Sequence, residues 1–413
     1  MSRDIEILII TPECPYPPDD GHKLRNYHLF RNIRTGIQFD LLTNGNEEVL
    51  NNDEIKKELG KCFRSITMVP VKQLRTLTLK TKYDKIKNIL SPHELSLDSP
   101  FYSEDMCKAV TSKLSINKYD LVCYCGYSTY LYNKMPADKT PCVVDIVDSM
   151  SLYLKNDMKM QHNIKDKFKR FVNYVWAKNY EKKHFSRAHN IIMISQADAE
   201  HVKMNCPKSR VWVVSNGVDT KYYDCNSKQL KSENTLLFTG VMSYRPNNES
   251  MIYFIHEILP LVRNQLKNVT LTIAGRDPTP ELHKLANNIE GIRITGYVND
   301  IRPYFDQCSV YIAPVISGAG LKNKILEAWA MSMPVVATPL SCEGIDAKDN
   351  HNVLLAKTAK EFADDILKLL SDSILRNKLA SNGRITVENN YSWNSKAAAL
   401  ERIFREVLNS DKC

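Results

Sequence analysis

The stretch from Tyr311 to Gly344, YIAPVISGAGLKNKILEAWAMSMPVVATPLSCEG, constrains the fold more than any other part of the chain. Ser309 to Val315 alternates and ends in β-branched residues, the signature of a strand, and Pro314 marks where it runs out. A glycine-bearing turn follows, Ser317-Gly318-Ala319-Gly320. From Leu321 the apolar residues fall at Leu321, Ile325, Ala328 and Trp329, the stripe of an amphipathic helix. Pro334 ends that helix, and Pro334 to Thr338 is the next strand. Strand, glycine turn, helix and strand make a βαβ unit, and in an open α/β sheet ligands bind where helix N-termini offer free N–H groups. An anion suits such a place. Gly318 and Gly320 let backbone approach it, Lys322 and Lys324 bring positive charge, and Glu327 sits further along the helix. The same residues also suit an ordinary βαβ unit whose glycines only make a tight turn.

At 413 residues the chain suits two domains of about 200 residues each, with a cleft between them. No apolar run approaches the roughly 20 residues needed to cross a bilayer. The N-terminal run Ile5 to Ile10 is shorter than the core of a secretory signal and reads as a first buried strand, so a cytoplasmic protein is expected. Eleven cysteines are scattered without any C-x-x-C, as reduced thiols would be. Neither a D-x-D motif nor a His/Asp cluster of ligand spacing is present, so no metal and no resident cofactor is expected. The net charge of +9 raises the question of a polyanionic partner. No nucleic-acid-reading module is recognisable, and none is expected to bind.

Strand signals recur at Ile37 to Thr43, Ile66 to Val71, Tyr119 to Cys125, Pro141 to Val147, Asn190 to Ser195 and Val211 to Val214. The first βα connection, Thr11 to Gly21, is proline-rich and long, and G-x-G-x-x-G is absent from it, which argues against a dinucleotide-binding domain. Gly21 opens a helix over His22 to Arg31. Between the second and third strands, Asn44 to Lys61 is expected to be helical only towards its end. Val69 to Asp98 is lysine-rich with leucines at helical intervals. Asp148, followed by Ser149 and Ser151, lies just past a strand end where a carboxylate can touch the hydroxyl of a bound molecule, and equally where Asp148 or Ser149 can cap a helix. Lys155 to Arg187 holds ten Lys and Arg against three acids, interspersed with Phe168, Phe171, Tyr174, Trp176, Tyr180 and Phe185. It reads either as a long helix with its aromatics inward or as a basic amphipathic surface resting on anionic lipid.

After a polar linker near Tyr222 to Asn234, a second α/β series begins with Thr235 to Gly240. The loop Val241 to Asn248, a helix over Glu249 to Leu266 and the strand Val269 to Gly275 follow. The first domain is set at 1–220 and the second at 221–394, followed by a last helix at about 395–413.

The run G-x-G-x-K-x-K-x-L-E-A-x-A-x-x-x-P-V-V-A-T followed by E-G resembles the donor-sugar signature of retaining glycosyltransferase family four. So do Asn216-Gly217-Val218-Asp219 at the domain junction and the spacing of Gly275-Arg276-Asp277 and Gly296-Tyr297-Val298. The resemblance implies the GT-B fold, two Rossmann-like doubly wound parallel-sheet domains facing a cleft, with a C-terminal helix crossing back. It implies a metal-independent, hexosyl-type transfer from a nucleoside diphosphate sugar to a glycan, lipid-linked or small-molecule acceptor in cell-surface polysaccharide or glycolipid synthesis. Association with the inner face of a membrane would go with a lipid-linked acceptor. The donor-binding positions it implies are Gly21, Gly240, Arg245, Gly318, Gly320, Leu321, Lys322, Asn323, Lys324 and Glu327, with Asp148, Lys322 and Arg245 catalytic. Glu327 matches the second glutamate of E-x7-E, which grips ribose hydroxyls. The first falls at Ala319, a departure shared by a branch with G-x-G-x-K there. Many members carry a histidine near the end of the strand Tyr119 to Cys125, where this chain has Cys123, Tyr124 and Cys125. A GT-B epimerase and a non-catalytic nucleotide-sugar-binding protein are the alternatives.

Overall fold

A computed structural model describes residues 3–33, 36–45, 47–70, 103–133, 140–160, 163–224, 233–317 and 323–410. The chain divides into two units, Met1–Ser215 with Trp393–Cys413, and Asn216–Ser392.

The first unit is built on a parallel sheet of β1 (Ile5–Thr11), β2 (Ile37–Gly45), β3 (Ser65–Pro70), β4 (Leu121–Cys125), β5 (Cys142–Val147), β6 (Asn190–Met193) and β7 (Arg210–Val213), in the order β3-β2-β1-β4-β5-β6-β7. Its helices are α1 (Gly21–Asn32), α2 (Glu47–Asn51), α3 (Asp53–Leu59), α4 (Glu104–Ile116), α5 (Met150–Met160), α6 (Ile164–His184) and α7 (Gln196–Asn205). Parallel strands need helical crossovers, and these cover both faces, which is why β1 reads as a continuous apolar run. Its side chains alternate between two cores: Ile7 and Ile9 pack with Leu29 and Phe30 of α1, Leu8 and Ile10 with Val110 of α4 and Tyr180 of α6.

The second unit has β8 (Thr235–Thr239), β9 (Thr270–Ala274), β10 (Ile292–Ile294), β11 (Val310–Ala313), β12 (Val335–Ala337) and β13 (Leu354–Leu355), parallel in the order β10-β9-β8-β11-β12-β13. Around it lie α8 (Arg245–Tyr253), α9 (Leu259–Gln265), α10 (Pro280–Asn287), α11 (Arg302–Gln307), α12 (Asn323–Ala330), α13 (Ala359–Ser371) and α14 (Ser373–Asn390). Trp329 of α12 is fully buried and donates from Nε1 to Asn352 O at 2.9 Å. Gly383 of α14 makes room for it, because a Cβ there would stand 2.5 Å from the Trp329 ring.

A last helix, α15 (Trp393–Ser410), belongs to the first unit and packs on α1. Trp393 stacks on His28 with centroids 5.2 Å apart, and Phe404 meets the Phe39 ring edge-on at 6.5 Å.

Three helical expectations need correction. Lys155 to Arg187 is two helices rather than one, because Asn163 accepts from the Lys165 N–H at 2.9 Å and caps a new start. Glu249 to Leu266 starts earlier, at Arg245, and widens to a π segment over Phe254–Ile258 just before Pro260, which has no N–H to give to the ladder. The segment after β2 is helical from Glu47, and the lysine-rich stretch beyond Pro70 lies outside the described residues up to position 102.

Candidate active site

In a doubly wound sheet the crevice for a ligand opens beyond the carboxyl ends of the strands where the order reverses. In the second unit that point lies between β8 and β11. The loop after β8 begins at Gly240, whose φ of +152° and close neighbours both call for glycine. A Cβ on Gly240 would lie 2.7 Å from Asn247 Nδ2 and 3.5 Å from Lys324 Nζ, and one on Gly275 would lie 1.9 Å from Gly240 O. The ends of β8 and β9 are therefore held backbone to backbone.

α12 brings two charged side chains to this edge. Lys324 Nζ donates to Asn247 Oδ1 and lies 4.5 Å from the centroid of the Phe238 ring, which ties the start of α12 to β8 and the first turn of α8. Asn247 in turn donates to Val241 O at 2.9 Å. Glu327, one turn on, is half-buried and accepts from the Tyr223 hydroxyl. Burial pushes its carboxyl up to about 6, against the opposing pull of Lys324 and of that hydrogen bond. Asn323 Oδ1, at the start of α12, is buried with no hydrogen-bond partner among the described residues.

Arg245 is exposed and pairs with Glu249, Nε to Oε1, at 2.6 Å. The second oxygen of Glu249 accepts from Ser317 Oγ at 2.6 Å, so one carboxylate joins α8 to the segment after β11. Burial raises the Glu249 carboxyl, but the bonds from Ser317 and Arg245 outweigh it and hold it below its usual range. Gly318, Gly320, Leu321 and Lys322, together with Ala319, lie outside the described residues.

In the first unit the order reverses between β1 and β4. Gly21 starts α1, which Asp20 caps by accepting from the N–H groups of His22 and Lys23 at 2.8 and 2.9 Å. A Cβ on Gly21 would meet nothing within 4 Å. The residue that sequence reasoning missed is His22. Its ring lies against Gly126, just past the end of β4, where a Cβ would come 3.0 Å from Cε1. Burial lowers the His22 imidazole below its usual range; Asp145 opposes that and Arg25 adds to it. The ring is therefore neutral at pH 7, and Nδ1 is buried without a partner among the described residues. Only the adjacency of β1 and β4 could have revealed this, since nothing in the local pattern around His22 does. Asp145 itself is held by Arg25 in a buried two-bond pair, Nε to Oδ2 at 2.8 Å and Nη2 to Oδ1 at 3.2 Å.

Asp148 follows Val147, which has φ of +74°, strained for a β-branched residue. Ser149 does the capping: its Oγ accepts from the Leu152 N–H at 3.2 Å, while Asp148 is exposed. The turn is fixed from below by Glu181, which accepts from Ser149 Oγ and the Ser151 N–H, both at 3.0 Å, and from Asn205 Nδ2 at 3.1 Å. Asp198 Oδ1 accepts from the Ser149 N–H at 3.0 Å, and His201 Nε2 is 2.8 Å from Ser151 Oγ. Among the described residues, no group of acidic, histidine and cysteine side chains of metal-holding geometry is present, and the cysteines are free.

Residues 233–372 match the family model described as glycosyl transferases group 1. The second unit carries a glycosyl transferases group 1 domain. Likeness to other proteins ranges from under half of this chain to nearly all of it. An uncharacterized 44.6 kDa protein in the cps region of Klebsiella pneumoniae is 22 % identical over 97 % of this chain and 99 % of its own length. The phosphatidyl-myo-inositol mannosyltransferase of Mycobacterium leprae is 29 % identical over 43 % of this chain and 47 % of its own. In structure, Anabaena HepE, solved in complex with UDP and glucose, superposes with a TM-score of 0.63 at 15 % identity, over 97 % of this chain and 99 % of that one. The fold is GT-B, two Rossmann-like parallel-sheet domains.

Proposed function

We propose that the chain is a retaining glycosyltransferase that moves a sugar, of hexosyl type, from a nucleoside diphosphate sugar to a hydroxyl acceptor in polysaccharide or glycolipid synthesis. The donor belongs to the glycosyltransferase domain and the acceptor side to the first unit. The observation that carries the reading is the pairing of Lys324 and Glu327 on one helix at the glycine-backed switch point of the second sheet. As the sugar leaves, negative charge builds on the departing phosphate oxygen. A fixed ammonium at Lys324 and the Arg245 guanidinium, with Lys322 given the same role by the motif, stabilise that charge more in the transition state than before it. This supplies the electrostatic work without a resident metal or cofactor. Glu327 takes hydrogen bonds from ribose hydroxyls and Asn323 offers a further acceptor. Gly240 lets Asn247 and Lys324 close in behind the donor, and Gly21 is the first unit's contribution to the donor contacts.

With retention, the acceptor oxygen bonds to the anomeric carbon on the face from which the nucleoside diphosphate departs. The acceptor proton passes to the departing phosphate oxygen. Asp148, presented on its strained turn, and neutral His22 orient the acceptor hydroxyl. The relative in a cps region and the mannosyltransferase support synthesis of a surface glycan or glycolipid, and HepE with UDP and glucose supports a nucleotide-sugar donor.

Calorimetric titration with a panel of nucleoside diphosphates tests the donor site. Glu327→Ala is expected to weaken binding of the preferred one by about 1–3 kcal/mol, and Lys324→Ala to weaken it comparably. Unchanged affinity in both folded variants places the donor elsewhere.

A further inference from the structure

The second half of α6 is core, with Ala177, Tyr180 and Glu181 buried and Tyr180 stacked on Tyr127 at 4.8 Å. The first half is different. At 100° per residue, Ile164, Phe168, Phe171 and Val175 fall on one stripe, and the first three are 84 %, 67 % and 47 % exposed. Lys165 flanks this stripe on one side and Lys167 on the other, and the one acid of the first turn, Asp166, points to the opposite side. α5 packs alongside, joined by Arg170 to Asp157 at 2.8 Å, and adds exposed Met150 and Tyr153.

Its placement gives the stripe meaning. α5 leaves the carboxyl edge of β5 two residues after Asp148, and α6 returns to the sheet at β6. α6 is about 31 Å long and β6 only about 13 Å, so the first half of α6 and its partner α5 overhang the ligand-bearing edge. Aromatic and aliphatic side chains in a row, bracketed by lysines, are wasteful in water and suited to a headgroup boundary, where the rings enter the acyl layer and the ammonium groups meet phosphates.

We infer that the α5–α6 hairpin is a foot that seats this chain on an anionic lipid bilayer. Charge complementarity selects that occupant: Lys165 and Lys167 flank the stripe, while Asp157 is already spent on Arg170. On the glycosyl-transfer reading, which this consequence rests on, the edge carrying Asp148 then faces the membrane and the acceptor is lipid-linked.

Vesicle sedimentation of the full chain tests the docking without using activity. The protein is expected to pellet with phosphatidylglycerol-containing vesicles at low salt and not with pure phosphatidylcholine vesicles. High salt should weaken the binding, since screening removes the ionic share of the attraction. Phe168→Ser with Phe171→Ser, and separately Lys165→Gln with Lys167→Gln, should each lower the bound fraction about tenfold with unchanged circular dichroism. These positions are exposed, so the variants keep the core. Absence of the wild type from the phosphatidylglycerol pellet, or equal pelleting of wild type and both variants, overturns the inference. A dimer in sedimentation velocity that the Phe variant dissolves, without vesicle binding, overturns it in favour of self-association. Nucleotide titration of the same samples is independent of these outcomes, so the donor reading stands or falls separately.

Discussion

Glu327 is a carboxyl whose two neighbours pull against its burial and lose, leaving it near 6 rather than 4.5. The sign matters for binding. Above about pH 6 it is an acceptor-only carboxylate suited to ribose hydroxyls; as pH falls through 6 it takes a proton and loses half of that capacity. Affinity for the nucleotide should therefore hold from pH 8 to 7 and fall towards pH 5, and Glu327→Gln should flatten the profile; a wild-type profile with no step near 6 would refute the role. The same shift bears on stability in the other direction, since the folded state holds this proton more tightly than the unfolded chain. Protonation between about pH 4.5 and 6 favours the fold at this site. The glutamate itself is legible from its place after G-x-G-x-K-x-K, but its partner Tyr223 is not, because it arrives from the start of the second unit. His22 is the sharper case. In sequence it is the second residue of a helix; in the fold it stands beyond β4, because β1 and β4 are neighbours while β2 and β3 intervene in the chain.

At the level of elements, the βαβ reading of Ser309 to Thr338 survives in β11, α12 and β12, with the two strands trimmed by a residue or two at their ends and α12 ending at Ala330, ahead of Pro334. What periodicity could not show is where helices break. Asn163 restarts a helix that the apolar spacing carries straight through, and Pro260 turns the expected single helix after β8 into three segments. Nor does it show strain. Val147 sits at φ +74° because Ser149 and Ser151 are pinned by Glu181 of α6 and Asp198 of α7, and β5 shifts register against β6 at this point. Val147→Gly should relieve about 1–3 kcal/mol of backbone strain and raise the melting temperature. Transfer should slow in that variant if the strain is what holds Asp148 in place. A variant that melts lower than wild type would show that the valine packs more than it strains.

At the level of the whole molecule, the alternation of short apolar runs with helical segments is enough to announce two parallel-sheet units. Less readable is that the chain returns, since a helix at the C-terminus gives no local sign of which core it completes. α15 inserts Trp393, Leu400, Ile403, Phe404 and Val407 into the core of the first unit. At about 1.5–3 kcal/mol for each such side chain, their burial rivals the entire stability of a domain, about 5–15 kcal/mol. A chain ending at Ser392 should therefore lose the cooperative unfolding transition of the first unit, as followed by calorimetry, while nucleotide binding by the second persists. Two intact transitions would contradict this account of α15. The central claim, transfer from a nucleotide sugar with retained configuration, is tested most directly by product analysis. Purified protein would be incubated with a panel of nucleotide sugars, with and without hydroxyl acceptors, and products followed by mass spectrometry and anomeric NMR. The account predicts one donor whose sugar appears on an acceptor with its anomeric configuration unchanged. Inverted product, epimerised donor without acceptor, or no turnover of any donor would contradict it.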